Sequence, residues 1–355
     1  MEDLIERGAG LDVHKETVVA TIIVGVAGKR PEKETRTFGT MTADLLELSD
    51  WLSEKGCTHI AMESSGVYWK PVYNILEPEF EIMVVNARHI KHVPGRKTDV
   101  KDSEWIAQLL RKGLLRPSFI PPANIRQMRD LTRYRKKLIH QRTAERNRIQ
   151  KFLEDANIKM SSVLSDIFGV SGTRILKALL GENPPSPEQL AETVHARIRP
   201  KLPQLIKSLR GQLTDHHRFL LSTIFEHLES IEGCIAKIEQ QIEQSLNGYE
   251  KQIERLCTIP GISYDTAAVI VAEMGVDMTK FPSAEHLSSW AGVSPGNNES
   301  AGKKKYKDHS WQSSVKNGSM RGCSRRFSNQ DVYRLQVLVA RQATRHPQGY
   351  RRYGA

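Results

Sequence analysis

The sequence predicts an α/β domain followed by a mainly helical region, and three observations carry that prediction. Strand-like and helix-like segments alternate over residues 1–120, a strongly basic helical stretch follows Pro121-Pro122, and an apolar heptad pattern runs through 221–246. Alternating strands and helices must cover a sheet with helices to bury both, which is the layer logic of an α/β domain.

Residues 9–26 read as one strand, the first of a hairpin: Val18, Val19, Thr21, Ile22, Ile23 and Val24 are β-branched, and Gly25 to Gly28 offers a turn. A helix over 42–55 follows from Leu45, Leu46, Leu48 and Trp51. His59 to Met62 is a short buried strand, Val67 to Leu76 a helix, and Glu81 to Val85 a further strand. A last helix, Asp99 to Lys112, carries Trp105, Ile106, Leu109 and Leu110.

Past Pro121-Pro122, residues 126–152 are helical and rich in Arg and Lys, with Leu131, Leu138 and Ile149 on an apolar side. Two readings stand: a solvated helix face, or an arm along a nucleic-acid backbone with Arg133, Arg142 and Arg146 among its contacts. Residues 158–205 are less regular, broken by Gly169, Gly172, Gly181 and the prolines at 184, 185 and 187. Leu221, Ile224, Leu228, Ile231, Ile235, Ile238, Ile242 and Leu246 then form a narrow seam with polar flanks, which predicts a coiled coil. Self-association through that seam is favoured over packing within the chain.

With 355 residues the chain is long enough for two or three domains, and 39% hydrophobic residues suffice to bury cores. The formal charge of +11 and the pI near 9.4 favour a polyanionic partner. Four scattered cysteines, Cys57, Cys234, Cys257 and Cys323, lack zinc spacing and read as reduced and mostly buried. The start is acidic without an apolar run, and no stretch has the roughly 20 apolar residues of a membrane span. The expectation is a soluble, cytoplasmic protein with no membrane partner.

Four acids stand out in the α/β region. Asp12 interrupts an apolar strand, Glu63 ends the buried strand at Ala61-Met62, and Asp99 and Asp102 stand three apart at a helix start. That spacing puts both on one helix face. Clustered carboxylates repel, and a divalent metal that accepts oxygen ligands and phosphate together relieves the repulsion. Singly, each acid has a plainer reading, such as an N-cap for Asp99. Downstream, Ile259-Pro260-Gly261-Ile262 before an apolar helix resembles the turn of a helix-hairpin-helix, where Gly261 and Ile262 would bring backbone close to phosphate. Ser300 lies in a small-residue loop before Lys303, Lys304 and Lys305; with no activating base to name, the residues alone leave its role open.

Several of these motifs together resemble one family. Gly10-Leu-Asp12-Val-His-Lys15, Met62-Glu63-Ser-Ser-Gly66-Val-Tyr68-Trp69 and Lys97-Thr-Asp99-Val-Lys-Asp102 resemble the first domain of the insertion-sequence-one-hundred-ten transposases, relatives of the Piv and MooV DNA invertases. Ile259-Pro-Gly-Ile262, Phe281-Pro-Ser and Trp290-Ala-Gly-Val-Ser-Pro295 through Ser300 resemble its second.

The resemblance implies an RNase-H-like, RuvC-like fold whose acids Asp12, Glu63, Asp99 and Asp102 hold magnesium or manganese. It implies that Ser300 is a nucleophile forming a phosphoserine link with DNA. It implies too a composite site between chains in a dimer or tetramer, and a structured guide RNA encoded by the element, for which the basic helix is a contact. The partners are then the element ends and target DNA.

The expected division is a catalytic domain over 1–120, a basic helix and coiled coil over 121–250, a helix-hairpin-helix and serine-loop domain over 251–306, and an atypical tail over 307–355. From Asp308 onward Ser, Arg, Gln and Asn dominate, and only Val332 to Ala340 hints at an amphipathic turn. An altered reading frame would account for that tail and would put the activity of this copy in question. The function expected is DNA strand cleavage and rejoining; a junction nuclease of the same fold and an inactive DNA-binding remnant are the alternatives.

Overall fold

The computed structural model describes residues 4–25, 31–92, 102–181, 183–192, 194–291, 299–300 and 303–304. The chain forms two compact units, Met1–Ile120 and Pro121–Ala355.

The first unit opens with two strands where the sequence predicts one. β1 (Arg7–Val13) and β2 (Thr17–Val24) pair antiparallel, and the His14 N–H donates to the Thr17 carbonyl at 2.9 Å to close the turn. His14, Lys15 and Glu16 are the one run of consecutive charged or polar residues within the apolar stretch, and they are the turn. β3 (Glu32–Gly39) pairs with β2 as an edge strand. Periodicity misses it because Glu32, Lys33, Glu34 and Arg36 dominate and Phe38 is its one buried apolar side chain. Charged residues suit a strand whose outer edge must not recruit another chain.

α1 (Thr42–Glu54) leads to β4 (His59–Glu63), and α2 (Trp69–Leu76) leads to β5 (Glu81–Val85). β4 is parallel to β1 and β5 to β4, giving the order β3-β2-β1-β4-β5. α3 (Ala87–His92) and α4 (Asp102–Arg111) complete the unit.

Each face of the sheet buries its own core. Ala9, Leu11, Val13, Ile60 and Met62 pack with Leu45, Leu48, Trp51, Val72 and Leu76 of α1 and α2. Ala61 and Val85 pack with Ile106, Leu109 and Leu110 of α4. The buried Arg111 at the end of α4 ties the strand ends together, donating from Nε to the Ile5 carbonyl (3.0 Å) and from Nη2 to the Gly25 carbonyl (2.8 Å).

The second unit is built on α5 (Ala123–Asp155) and, after α6 (Val170–Leu180), α7 (Pro187–Glu192) and α8 (Leu202–Leu209), α9 (Asp215–Ser245). With 33 and 31 residues the long helices each run about 50 Å. They are antiparallel, since Arg135 meets Glu239, Arg146 meets Glu232 and Asp155 meets His217.

The heptad seam therefore packs within the chain and is not left for a second copy. Ile231 and Ile235 close on Leu138, while Leu221, Phe225 and Leu228 join Ile149, Leu153, Ile175 and Leu205 in a helical lobe. A narrow apolar stripe is sufficient to bind one helix, and here that helix is α5.

α10 (Glu250–Cys257), α11 (Tyr264–Met274) and α12 (Ala284–Trp290) follow, then the two-residue strands β6 (Glu299–Ser300) and β7 (Lys303–Lys304). The cysteines depart from the expectation: Cys57 is buried, but Cys234 and Cys257 are exposed. Cys323, the tail over 307–355 and the turn at Val332 to Ala340 lie outside the described residues. Among the described residues no helix is long and apolar enough to cross a membrane.

Candidate active site

Side chains alternate across a strand, and that alternation selects the face on which the acids stand. On β1, Ala9, Leu11 and Val13 enter the core under α1 and α2, whereas a side chain at Gly10 would meet α4. Asp12 shares the face of Gly10. On β4, Met62 enters the first core and Ala61 the core under α4, so Glu63 shares the face of Ala61. Leu11 pairs with Met62 in the parallel register. Asp12 and Glu63 are thus neighbours on one face, at the carboxyl ends of adjacent strands about 4.8 Å apart.

α4 brings the third acid. A β-carbon at Gly8 would lie 3.5 Å from Arg111 Cγ, while one at Gly10 would collide with the Ser103 carbonyl. The helix runs back along β1, so its first residue, Asp102, lies toward the Asp12 end. Ser103 is held there by its hydroxyl, 2.8 Å from that of Thr21 in the buried interior. Asp102 is exposed, and Asp12 keeps 22% of its side chain accessible. Asp99 lies outside the described residues. Among the described residues no group of three or more His, Cys, Asp or Glu stands close enough to hold a metal ion.

Two groups that the sequence reading did not single out touch the acids. His14 Nε2 is 3.2 Å from Asp12 Oδ2, and the Ser65 hydroxyl donates to Glu63 Oε1 at 2.9 Å. Each lies two residues after its acid, in the turn that follows the strand: the His14 N–H donates to the Thr17 carbonyl, and the Ser65 N–H to the Glu63 carbonyl, both at 2.9 Å. That spacing was the available signal.

In the second unit, Ile259 to Ile262 forms a tight turn between α10 and α11. Gly261 has φ of +86°, which favours glycine, and the Ile262 N–H donates to the Ile259 carbonyl at 3.0 Å. Ser263 caps α11 by accepting from the Thr266 N–H. Gly261 is exposed, but Ile262 is buried with its N–H engaged, so it anchors the turn. Ser300 pairs with Lys303, and Glu299 with Lys304, in the β6–β7 ladder. Lys305 lies outside the described residues. The acids belong to the first unit, and Ser300, Lys303 and Lys304 to the second.

Several of the α5 arginines are engaged within the chain. Arg133 makes a two-pronged contact with the buried carboxylate of Glu273 (2.9 and 2.7 Å), joined by Arg129 at 3.4 Å. Arg146 donates to Glu232 at 2.7 Å and lies over the Phe168 ring. The Nε atoms of Arg142 and Arg146 are buried without an acceptor among the described residues.

Two family models match this chain. One, described as a transposase and named for the DEDD acids of IS110, covers residues 9–158; the other, described as the IS116/IS110/IS902 transposase family, covers residues 253–317. The chain belongs to the IS110 family of transposases. The first match spans all four acid positions, and the second spans the Gly261 turn and Ser300. The second also runs to residue 317, past Asp308, where the sequence alone places the departure from the family pattern.

This IS110-family chain is 25% identical over 249 residues to the "Probable family 20 transposase" of Pseudomonas aeruginosa, covering 69% of this chain and 64% of that protein. It is 26% identical over 221 residues to the "Insertion element IS110 uncharacterized 43.6 kDa protein" of Streptomyces coelicolor, covering 57% and 53%. The match thus spans under two thirds of the length of these curated relatives.

Thermus thermophilus RuvC resembles 32% of the chain at a TM-score of 0.25 and 12% identity over 99% of its own length. The same enzyme in complex with a Holliday junction substrate gives 0.24 and 11%, over 100% of its length. Independently of those scores, an antiparallel β1-β2-β3 meander continued by parallel β4 and β5 is the RNase-H-like arrangement that the motifs imply.

Proposed function

We propose that this chain is the DNA strand-cleaving and rejoining enzyme of an insertion sequence. The observation that carries this reading is the placement of Asp12 and Glu63 side by side on one sheet face, with the start of α4 at the same end, inside the segment matched by the transposase family. Carboxylate oxygens on adjacent strand ends, partly open to solvent, are the donor set that a hard divalent cation requires. Asp12, Glu63, Asp99 and Asp102 would hold that ion, magnesium or manganese. When bound it supplies positive charge against a phosphodiester.

In this reading Ser300 is the nucleophile. Its Oγ forms a bond to phosphorus as one bridging P–O bond of the strand breaks, its proton is lost, and the cut end leaves with a free hydroxyl. Attack by a hydroxyl end on the phosphoserine reverses these changes and rejoins DNA. The backbone turn at Gly261 and Lys303, Lys304 and Lys305 grip the strand near Ser300. The proposed division of labour is catalytic acids over 1–120, a helical connector over 121–250 and the serine module over 251–306. The site is completed between chains of a dimer or tetramer, through surfaces other than the heptad seam, and the protein acts on DNA in the bacterial cytoplasm. A structured RNA encoded by the element is the partner that would pair donor and target.

Trapping on an oligonucleotide spanning the element junction tests the reading, with magnesium and RNA from the element's end. A protein–DNA adduct on a denaturing gel, lost in both Ser300→Ala and Asp12→Ala, is expected. Metal-dependent nicks that survive Ser300→Ala would replace the serine mechanism with hydrolysis.

A further inference from the structure

Glu63 closes β4, and the residues after it form a braced loop. The Ser64 N–H donates to the Val85 carbonyl of β5 and the Ser65 N–H to the Glu63 carbonyl, both at 2.9 Å. Gly66 then takes φ of +57°, a left-handed conformation that favours glycine. The backbone of Ser65 is thereby fixed, and its hydroxyl donates to Glu63 Oε1 at 2.9 Å. Among the described residues Glu63 Oε2 forms no hydrogen bond or ion pair.

Asp12 is held differently. Its partner His14 approaches at 3.2 Å and keeps 59% of its side chain exposed. An ion pair so open to water holds its members weakly. Ser65, by contrast, is partly buried in a loop tied to β5.

We propose that Ser65 is a positioning residue for Glu63: it holds one carboxylate oxygen and so presents the other to a divalent cation. A glutamate side chain is long and rotates freely, and ordering it opposes metal binding. A hydrogen bond from a fixed donor moves that ordering into the folding step, so the ligand stands in place before the ion arrives. The inference rests on the reading of Glu63 as a metal ligand and adds the neighbour that sets its geometry.

The test measures manganese(II) binding by the full chain, from the electron paramagnetic resonance signal of the free ion. Melting temperature in a chelator is recorded beside it. The variants are Ser65→Ala, Ser65→Thr, Ser64→Ala and Glu63→Gln. Removing a group that orients a metal ligand typically weakens metal binding about 10–100-fold. Ser65→Ala is expected to lose affinity in that range while its melting temperature in chelator stays at the parent value. Ser65→Thr keeps the hydroxyl and should recover most of the affinity. Ser64→Ala controls for disturbance of the loop, because that hydroxyl makes no hydrogen bond among the described residues, and should bind like the parent.

Parent-like affinity in Ser65→Ala beside a loss in Glu63→Gln would overturn the inference and leave the acid site standing. An equal loss in Ser64→Ala would make Ser65 merely a structural residue of the loop. So would a lower melting temperature in Ser65→Ala that Ser65→Thr does not restore, and either result overturns the inference. No manganese binding by the parent, or parent-like affinity in Glu63→Gln, would remove Glu63 from the metal site, and the reading of the acids would fall together with the role of Ser65.

Discussion

Gly10 lies directly beneath Ser103: a β-carbon at Gly10 would collide with the Ser103 carbonyl oxygen and stand 3.1 Å from Ala107 Cα. The missing side chain lets α4 rest on β1, and the Thr21–Ser103 hydroxyl contact fixes the same turn. Asp102 is the next residue toward the N-terminus, so the contact beneath Ser103 also sets where that acid stands.

Gly10→Ala should therefore displace α4, because the atoms it meets are backbone. The expected cost is about 1–3 kcal/mol, the usual range for overpacking, read as a lower melting temperature. Adduct formation should fall further than Thr21→Val lowers it, since that change loosens the turn without lifting the helix. A fully stable Gly10→Ala protein would show that α4 is not seated on β1.

Arg133→Ala strips the two-pronged partner from Glu273, which is 1% exposed. An uncompensated buried charge typically costs about 3–5 kcal/mol, and Arg129 at 3.4 Å offsets part of it. Urea unfolding should show a loss of about 2–4 kcal/mol. A change below about 0.5 kcal/mol would assign Arg133 to the solvated face instead.

Ile235→Ala tests what the heptad seam binds. Packing against Leu138 within the chain predicts a loss of about 2–4 kcal/mol with no change of oligomeric state in sedimentation. Dissociation of an assembly by this variant would restore the seam as a contact between copies.

Burial pushes the Cys57 thiol from its ordinary 9.0 up to about 11, against a smaller opposing pull from Arg7. A raised pKa means that the folded state holds its proton more tightly than the unfolded state. The resulting stabilisation is complete below about pH 9 and is lost as pH rises through about 11. Alkylation at neutral pH should modify the exposed Cys234 and Cys257 readily and Cys57 only on unfolding. Equal rates at Cys57 and Cys234 would contradict its burial.

Much of the first unit is legible along the chain. Its apolar runs locate β4, β5, α1 and α2 to within a residue or two, Glu63 can be read as the polar end of a buried strand, and Asp12 as an acid interrupting an apolar one. β3 escapes because an edge strand needs charge more than it needs apolar side chains. The turn at His14 escapes because continuity of β-branched residues outweighs three polar ones when only pattern is counted.

What the sequence determined by itself is which surfaces are apolar, which residues carry charge, and where glycine is required. Periodicity marks the seam on α9 and composition marks the arginines on α5, but neither names a partner. The tertiary structure alone decided that these two helices cover each other, and that Glu232, Glu239 and Glu273 meet cations some 80 to 140 residues away in sequence. The reason is physical: hydrophobic burial and ion pairing are satisfied by any complementary surface within reach, and only the folded chain fixes which surface that is.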